Sequence, residues 1–191
     1  MRKIIVFNRI SIDGFFSGPH GETEEWFIAD RKVEKAAHKI MNIDTVLMGR
    51  KTYQLFESVW PKIAEDPGAP AKDKTIAEEL NKMTKIVFSK KLKKVSWQNS
   101  ELMKGNLIAE VKKLKRKKGR DMVIFGSGSI VQQLTDKQLI DEYLLVLTPV
   151  ILGAGRSMFS GVKRLDPELR ETREFKSGNV MLHYRVKRKK K

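Results

Sequence analysis

Asp121-Met122-Val123-Ile124-Phe125-Gly126-Ser127-Gly128-Ser129-Ile130 is the stretch whose reading decides the fold of this chain. Met122 to Phe125 is a short apolar run with β-branched members. It is too brief for a helix and predicts a strand buried on both faces. Gly126-Ser127-Gly128 breaks the run, and Ile130, Val131 and Leu134 then share one helical face, with Ser129 as the expected N-cap. A strand, a glycine turn and a helix bring backbone close to a ligand without interference from Cβ. They also aim free N–H groups and a helix dipole at an anion, so phosphate is the expected guest. Val131 stands where a Rossmann fingerprint would carry its third glycine. The turn therefore reads either as a phosphate cradle of another kind or as a plain connection.

Working outward, the same pattern recurs. Thr45 to Met48 predicts a buried strand that ends in Gly49-Arg50-Lys51-Thr52, followed by a helix through Tyr53, Phe56 and Val59 that Pro61 should stop. A loop over Glu65 to Lys74 and a short helix over Thr75 to Lys82 lead to a third buried strand, Lys85 to Phe88, ending in Ser89-Lys90-Lys91. Val95 to Gln98 suggests a short strand, and Gly105 to Lys118 an amphipathic helix with Leu107, Ile108, Val111 and Leu114 inward. Upstream, Lys3 to Ile10 predicts a central strand, closed by Ser11-Ile12-Asp13-Gly14, with a loop over Ser17 to Gly21. Thr23 is then expected to cap a helix with Glu24 and Glu25 in its first turn. Trp26, Val33, Ala37 and Ile40 lie on one face of that helix, and Asp30 falls on the same face. A carboxylate on an apolar stripe is unusual; it is either wet at the rim or pointed into a pocket with a raised pKa.

After about residue 140 only strands are expected: Tyr143 to Thr148, Arg156 to Phe159 and Asn179 to Val186, with Pro149 to Gly155 as a hydrophobic corner. Alternating strands and helices followed by strands alone argue for one α/β domain, residues 1–187, with a mostly parallel core and an antiparallel C-terminal edge. Residues 188–191 are expected to be a disordered basic tail.

Composition narrows the function classes. Hydrophobic content of 40% with 8% aromatics suits a globular fold, and no apolar run is long enough to span a bilayer. Cysteine is absent, and His20, His38 and His183 share no metal-ligand spacing, so no metal site is expected. A cytoplasmic location follows as the expectation. The net charge is +16, from 39 basic and 23 acidic residues, much of it in Lys90 to Lys94, Lys112 to Lys118 and Lys187 to Lys191. Such runs serve a nucleic-acid partner or a solvated surface. Lysine dominates and aromatics do not interleave, which favours the surface. Apolar residues at the corner Val150-Ile151-Leu152 suggest a surface that a second copy would cover, hence a homodimer.

The ordered set of junctions, Gly49-Arg50-Lys51-Thr52, Ser89-Lys90-Lys91 and Gly126-Ser127-Gly128-Ser129, opens with Ser11-x-Asp13-Gly14 and closes with Pro149-x-x-Leu152-Gly153-x-Gly155. With that set, the chain resembles the dihydrofolate reductase fold over nearly its whole length. The closer resemblance is to the reductase domain of bifunctional riboflavin-biosynthesis proteins and its stand-alone relatives. The resemblance implies a three-layer α/β/α fold with a mixed, mostly parallel sheet, and NADPH as cofactor. It implies phosphate binding at Gly49, Arg50, Lys51 and Thr52, recognition of the adenosine 2′-phosphate by Ser89, Lys90 and Lys91, and pyrophosphate at Gly126, Ser127, Gly128, Ser129 and Ile130. Asn8, Ser11 and Asp13 would line the nicotinamide end, Trp26 would stack on the substrate, and Asp30 would supply or relay a proton. The chain departs from the riboflavin enzyme in the substrate half. Ile40 falls where a phosphate-binding arginine stands, an Asp-Asp-Pro segment is missing, and Phe125 replaces a glutamate. The resemblance thus implies a reductase of a small heterocycle, pterin-like or ribosylaminouracil phosphate-like. A dinucleotide-binding protein without turnover and a nucleic-acid-binding protein are the alternatives.

Overall fold

The computed structural model describes residues 1–23 and 25–187. The expected tail, residues 188–191, and Glu24 lie outside the described residues. In chain order the elements are β1 (Ile4–Ile10), β2 (Phe15–Ser17), α1 (Arg31–Ile40), β3 (Ile43–Gly49), α2 (Arg50–Glu65), α3 (Ala71–Lys82), β4 (Thr84–Phe88) and β5 (Ser100–Met103). There follow α4 (Leu107–Arg116), β6 (Asp121–Phe125), α5 (Gly128–Asp136), β7 (Glu142–Leu147), β8 (Arg156–Ser157), β9 (Glu168–Glu174) and β10 (Val180–Arg185).

Eight strands form one sheet in the order β5-β4-β3-β6-β1-β7-β10-β9. Every pairing from β5 to β7 is parallel, and the last two, β7 with β10 and β10 with β9, are antiparallel. The short apolar runs are buried on both faces, as their lack of alternation requires. Ile4, Val6, Met122 and Ile124 face one core with Val111 and Leu114 of α4 and Val131 and Leu134 of α5. Ile5 and Val123 face the other with Val33 of α1, Tyr53 of α2 and Leu80 of α3. Helices thus cover both faces, which is the three-layer α/β/α arrangement the sequence implied.

The differences from expectation are local and have identifiable causes. The first helix starts at Arg31, not at Thr23: Asp30 is its N-cap, with φ of −146°, and its carboxylate accepts the Lys32 N–H at 2.8 Å. Pro61 does not stop α2, which runs through it to Glu65. A proline removes one helical hydrogen bond, and the helix continues past it for about one more turn. Val95 to Gln98 is not a strand; the Ser96 and Trp97 N–H groups donate instead to the Tyr53 hydroxyl at 3.1 and 3.0 Å, and β5 follows. Residues Glu168 to Glu174 form an edge strand that sequence alone did not suggest, because five of its seven side chains are charged and six are exposed. Charge on an edge discourages pairing with other chains and erases the apolar alternation by which strands are read.

Candidate functional site

Strands β4, β3 and β6 are sheet neighbours and parallel, so their carboxyl ends lie in a row. Each end carries one of the junctions singled out above, and all three open onto one cleft of about 1010 Å³. Gly49, Arg50, Lys51 and Thr52 come to it from the start of α2, Ser89 and Lys90 from the end of β4, and Ser127, Gly128, Ser129 and Ile130 from the start of α5. Ligand sites of open α/β sheets lie outside the carboxyl ends of strands for this reason.

The helix starts at the cleft differ from those elsewhere. Helix α1 is capped by the Asp30 carboxylate and α4 by the Asn106 amide oxygen, which accepts the Ala109 N–H at 3.1 Å. Neither Gly49 at α2 nor Ser127 at α5 offers a side-chain cap. Helix α3 has none either, but it begins at the exposed Pro70. First-turn N–H groups at α2 and α5 are therefore left for a guest, where the macrodipole favours negative charge. The Ser127 hydroxyl is used differently. It accepts the Gly49 N–H at 2.9 Å and donates to the Thr52 hydroxyl at 2.8 Å, clasping the two helix starts together. The clasp requires consecutive left-handed residues, Gly126 at φ +59° and Ser127 at +51°. The serine bears a cost that only glycine escapes, a pattern that gathers at functional sites. The expected cap, Ser129, lies two residues inside the position that Ser127 occupies.

Four cations line the cleft, Arg50, Lys51, Lys90 and Arg156, and no carboxylate does among the described residues. The Ser89 hydroxyl accepts the Lys91 and Leu92 N–H groups at 3.1 and 3.0 Å, which leaves its own proton free to donate. Lys91 itself lies outside the cleft. The arrangement fits a dinucleotide: two open helix starts for phosphates, a hydroxyl and lysine beside a neighbouring strand end, and net positive charge throughout. Sequence reading missed Asn106 at the α4 start, Arg156 on β8, and Gln132 and Gln133 on α5. Gly105-Asn106 before an amphipathic run carried a visible capping signal; Arg156 carried none, since only tertiary folding brings β8 to this end of the sheet.

A second, smaller chamber of about 360 Å³ adjoins the cleft and shares Phe16, Lys51, Thr52, Ser127 and Arg156 with it. Its wall is aromatic. Phe125 lies 6.3 Å from Phe56 in a stacked pair and 6.0 Å from Phe7 edge-on, and Trp60 continues the cluster. Asn8 and Gly126 line the chamber, Gly126 next in sequence to the shared Ser127. The Asn8 side chain braces the glycine turn, accepting the Gly126 N–H at 2.5 Å and donating to the Gly126 carbonyl at 3.3 Å.

Four expected site residues are elsewhere. Ser11 is fully buried, and its hydroxyl accepts the Phe15 N–H at 3.0 Å, so it builds the turn instead of reaching the cleft. Asp13 ties that turn to the hydrophobic corner by accepting the Gly153 N–H at 2.8 Å. Trp26 is not on the helix with Asp30; it packs edge-on against Phe27 at 4.6 Å, and it is Phe27 that lines the chamber. Of the two alternatives for Asp30, the pocket carboxylate with a raised pKa is overturned. A 2.5 Å hydrogen bond from the Ser177 hydroxyl and the bond from Lys32 N–H hold its carboxyl below the usual carboxylate range. The basic runs are also divided: Lys90 belongs to the cleft, whereas Lys115 is buried and pairs with Asp141. Among the described residues no cluster of ligating side chains could hold a metal ion, and no helix is long and apolar enough to cross a membrane.

Comparison with known proteins accords with this geometry. Two proteins of Bacillus subtilis (strain 168) are similar over nearly the full length. The uncharacterized protein YyaP is 33% identical over 184 residues, 96% of this chain and 94% of its own. The uncharacterized protein YwjB is 24% identical over 185 residues, 96% of this chain and 97% of its own. Among solved structures, a putative riboflavin biosynthesis protein from Shewanella sp. PV-4 shares the fold with a TM-score of 0.72 at 21% identity, covering 97% of this chain and 99% of that one. A diaminohydroxyphosphoribosylaminopyrimidine deaminase/5-amino-6-(5-phosphoribosylamino)uracil reductase from Thermotoga maritima shares it with a TM-score of 0.66 at 15% identity, over 97% of this chain and 56% of that longer protein. The sequence matches the RibD C-terminal domain over residues 2–182, and the chain belongs to that family.

Proposed function

We propose that this protein is an NADPH-dependent reductase of a small heterocyclic substrate. The observation that carries the reading is the continuity of two unlike spaces. A cationic cleft with two uncapped helix starts opens through Lys51, Thr52, Ser127 and Arg156 into an aromatic chamber of ligand size. Membership of the RibD C-terminal family supports a reductase. When bound, the dinucleotide supplies a hydride to an electrophilic carbon doubly bonded to nitrogen or oxygen; that heteroatom takes a proton from water and the oxidised dinucleotide remains. The chain's own contribution is placement. The α2 and α5 starts hold phosphates, and the Asn8 brace fixes the turn between cleft and chamber. The expected homodimer belongs to this proposal. Ile151 at the hydrophobic corner is 70% exposed, apolar surface that a second copy would cover.

Ser89 and Lys90 give the reading its test. They line the cleft, where no carboxylate stands among the described residues and the 2′-phosphate of NADPH gains charge-assisted hydrogen bonds worth about 1.5–3 kcal/mol, roughly 10- to 100-fold in affinity. Fluorescence titration is expected to show NADPH binding tighter than NADH by that factor, with Lys90→Gln narrowing the gap. Equal dissociation constants for the two dinucleotides would overturn it.

A further inference from the structure

We infer that the chamber takes an uncharged, planar molecule of one or two rings that carries no phosphate. This rests on the reductase reading and names the class of its hydride acceptor. Two observations carry it. The first is the wall: Phe7, Phe125, Phe56 and Trp60 form one contiguous aromatic cluster, with Phe27 and Leu55 at the mouth. Such faces and edges hold a flat ring by offset or edge-on contact. The chamber's volume of about 360 Å³ is at the small end for ligand sites.

The second observation is where the chamber's positive charge goes. Among the described residues lining it the cations are Arg9, Lys51 and Arg156. Arg9 is already engaged. It forms an ion pair with Glu34 at 2.8 Å, donates to the Ile28 carbonyl at 3.1 Å and lies over the Phe27 ring at 5.6 Å. Lys51 and Arg156 are shared with the cleft, where the phosphates of a dinucleotide claim them. A phosphorylated acceptor would have to enter an aromatic chamber and leave its dianion without a dedicated partner, at a desolvation cost that excludes it. The neutral amide of Asn8 is likewise committed, with both ends on Gly126.

A matched pair of probes tests this: 1-naphthol and 1-naphthyl phosphate, the same two-ring plane with and without the dianion. Binding is measured by isothermal titration calorimetry on the full chain saturated with NADP⁺, so that the cleft cations are occupied. 1-Naphthol is expected to bind at least about tenfold more tightly than its phosphate ester, a difference of one unpaired buried charge at the low end. Leu55→Lys, at a half-exposed mouth position, is expected to reverse the order. Phe27→Ala should weaken 1-naphthol by about fivefold through loss of one ring contact. If 1-naphthyl phosphate binds the NADP⁺-saturated protein as tightly as 1-naphthol, the uncharged acceptor is overturned and the reductase reading stands. If neither Leu55→Lys nor Phe27→Ala alters naphthol binding, the ring is not in the chamber and the inference fails in the same way. Failure of NADP⁺ and NADPH to bind at all would instead remove the reductase reading, and the acceptor with it.

Discussion

The cleft and the chamber adjoin, yet they are made in opposite ways. The cleft is assembled from short contiguous junctions, each a strand end running into a helix start or turn. Its chemistry lies mostly in the backbone: uncapped N–H groups, left-handed residues and dipoles. The chamber is assembled mostly from side chains that β1, β2, α2, α3, β6 and the loop carrying Phe27 bring together from distant parts of the chain. An anion site of this kind is dictated locally and reads out of the sequence. A site for a flat apolar ring is made of the same residue types as a core, and only the tertiary fold separates the two.

The largest effect that could break this contrast is expected at Gly128. A β-carbon there would lie 2.5 Å from Cζ of the Phe16 ring, and Phe16 lines both cleft and chamber. Gly128→Val must therefore displace the Phe16 ring or the first turn of α5. If the turn acts through close backbone approach, NADPH affinity should fall by about 100-fold, the worth of two charge-assisted hydrogen bonds at the low end. Titration of a variant with native circular dichroism checks it. Unchanged affinity would mean that the α5 start does not hold the phosphates and that the cleft is not a backbone site.

The contrast extends to lysines, which the sequence presents as alike. Lys90 is exposed at the cleft, whereas Lys85, at the start of β4, is fully buried. Its ammonium donates to the Leu80 and Asn81 carbonyls at 2.8 and 3.1 Å, closing the end of α3, and lies 4.5 Å from the Trp97 ring centroid. Burial pushes its pKa down from 10.5 to about 8. In that window the unfolded chain holds the proton that the folded one has released, so stability rises with pH between about 8 and 10.5 and carries the full cost of the buried charge below 8. Denaturant titrations should show a gain on the order of 2 kcal/mol across the window. Lys85→Met should lack that gain. A wild-type profile no steeper than that of Lys85→Met would show that the ammonium is solvated or fully compensated by the carbonyls and the ring.

Much of the fold was legible because its strands are buried on both faces. Ile4 to Val6, Val46 to Met48, Ile86 to Phe88, Met122 to Ile124 and Tyr143 to Leu147 are continuous apolar runs too short for helices. The edge strand β9 was hidden for the opposite reason, five of its seven residues being charged. In the site, ten of the residues named from the junctions line the cleft, but Lys91, Ser11, Trp26 and Asp30 line neither space. Ser11 failed because a hydroxyl beside a glycine turn serves a backbone N–H as readily as a ligand. Trp26 and Asp30 failed together, through one misplaced helix boundary. Residues 25–30 are non-helical, so a helical face drawn through them joins side chains that share none.

The smallest expected effect concerns that boundary and isolates it. As the cap of α1, Asp30 accepts the Lys32 N–H, and Ser177 donates to its second oxygen at 2.5 Å. Asparagine caps a helix about as well as aspartate, whereas alanine cannot accept the bond. Asp30→Asn is therefore expected to leave both the thermal midpoint and the single-turnover rate of hydride transfer nearly unchanged. Asp30→Ala should lower the midpoint by a few degrees with the rate still intact. The acid limb follows from the lowered pKa: the carboxylate's contribution is present above its ordinary value of 3.8 and fades as pH falls through the lower folded value. Asp30→Asn should flatten that limb without altering the rate at neutral pH. A proton donor would behave otherwise, since losing a positioned acid slows transfer by about 10²–10⁴-fold. A drop of that size in Asp30→Asn at unchanged NADPH affinity would return the residue to the chemistry. It would require the start of α1 to move towards the chamber during turnover, and the separation between a backbone-built cleft and a chamber without a described acid would no longer hold.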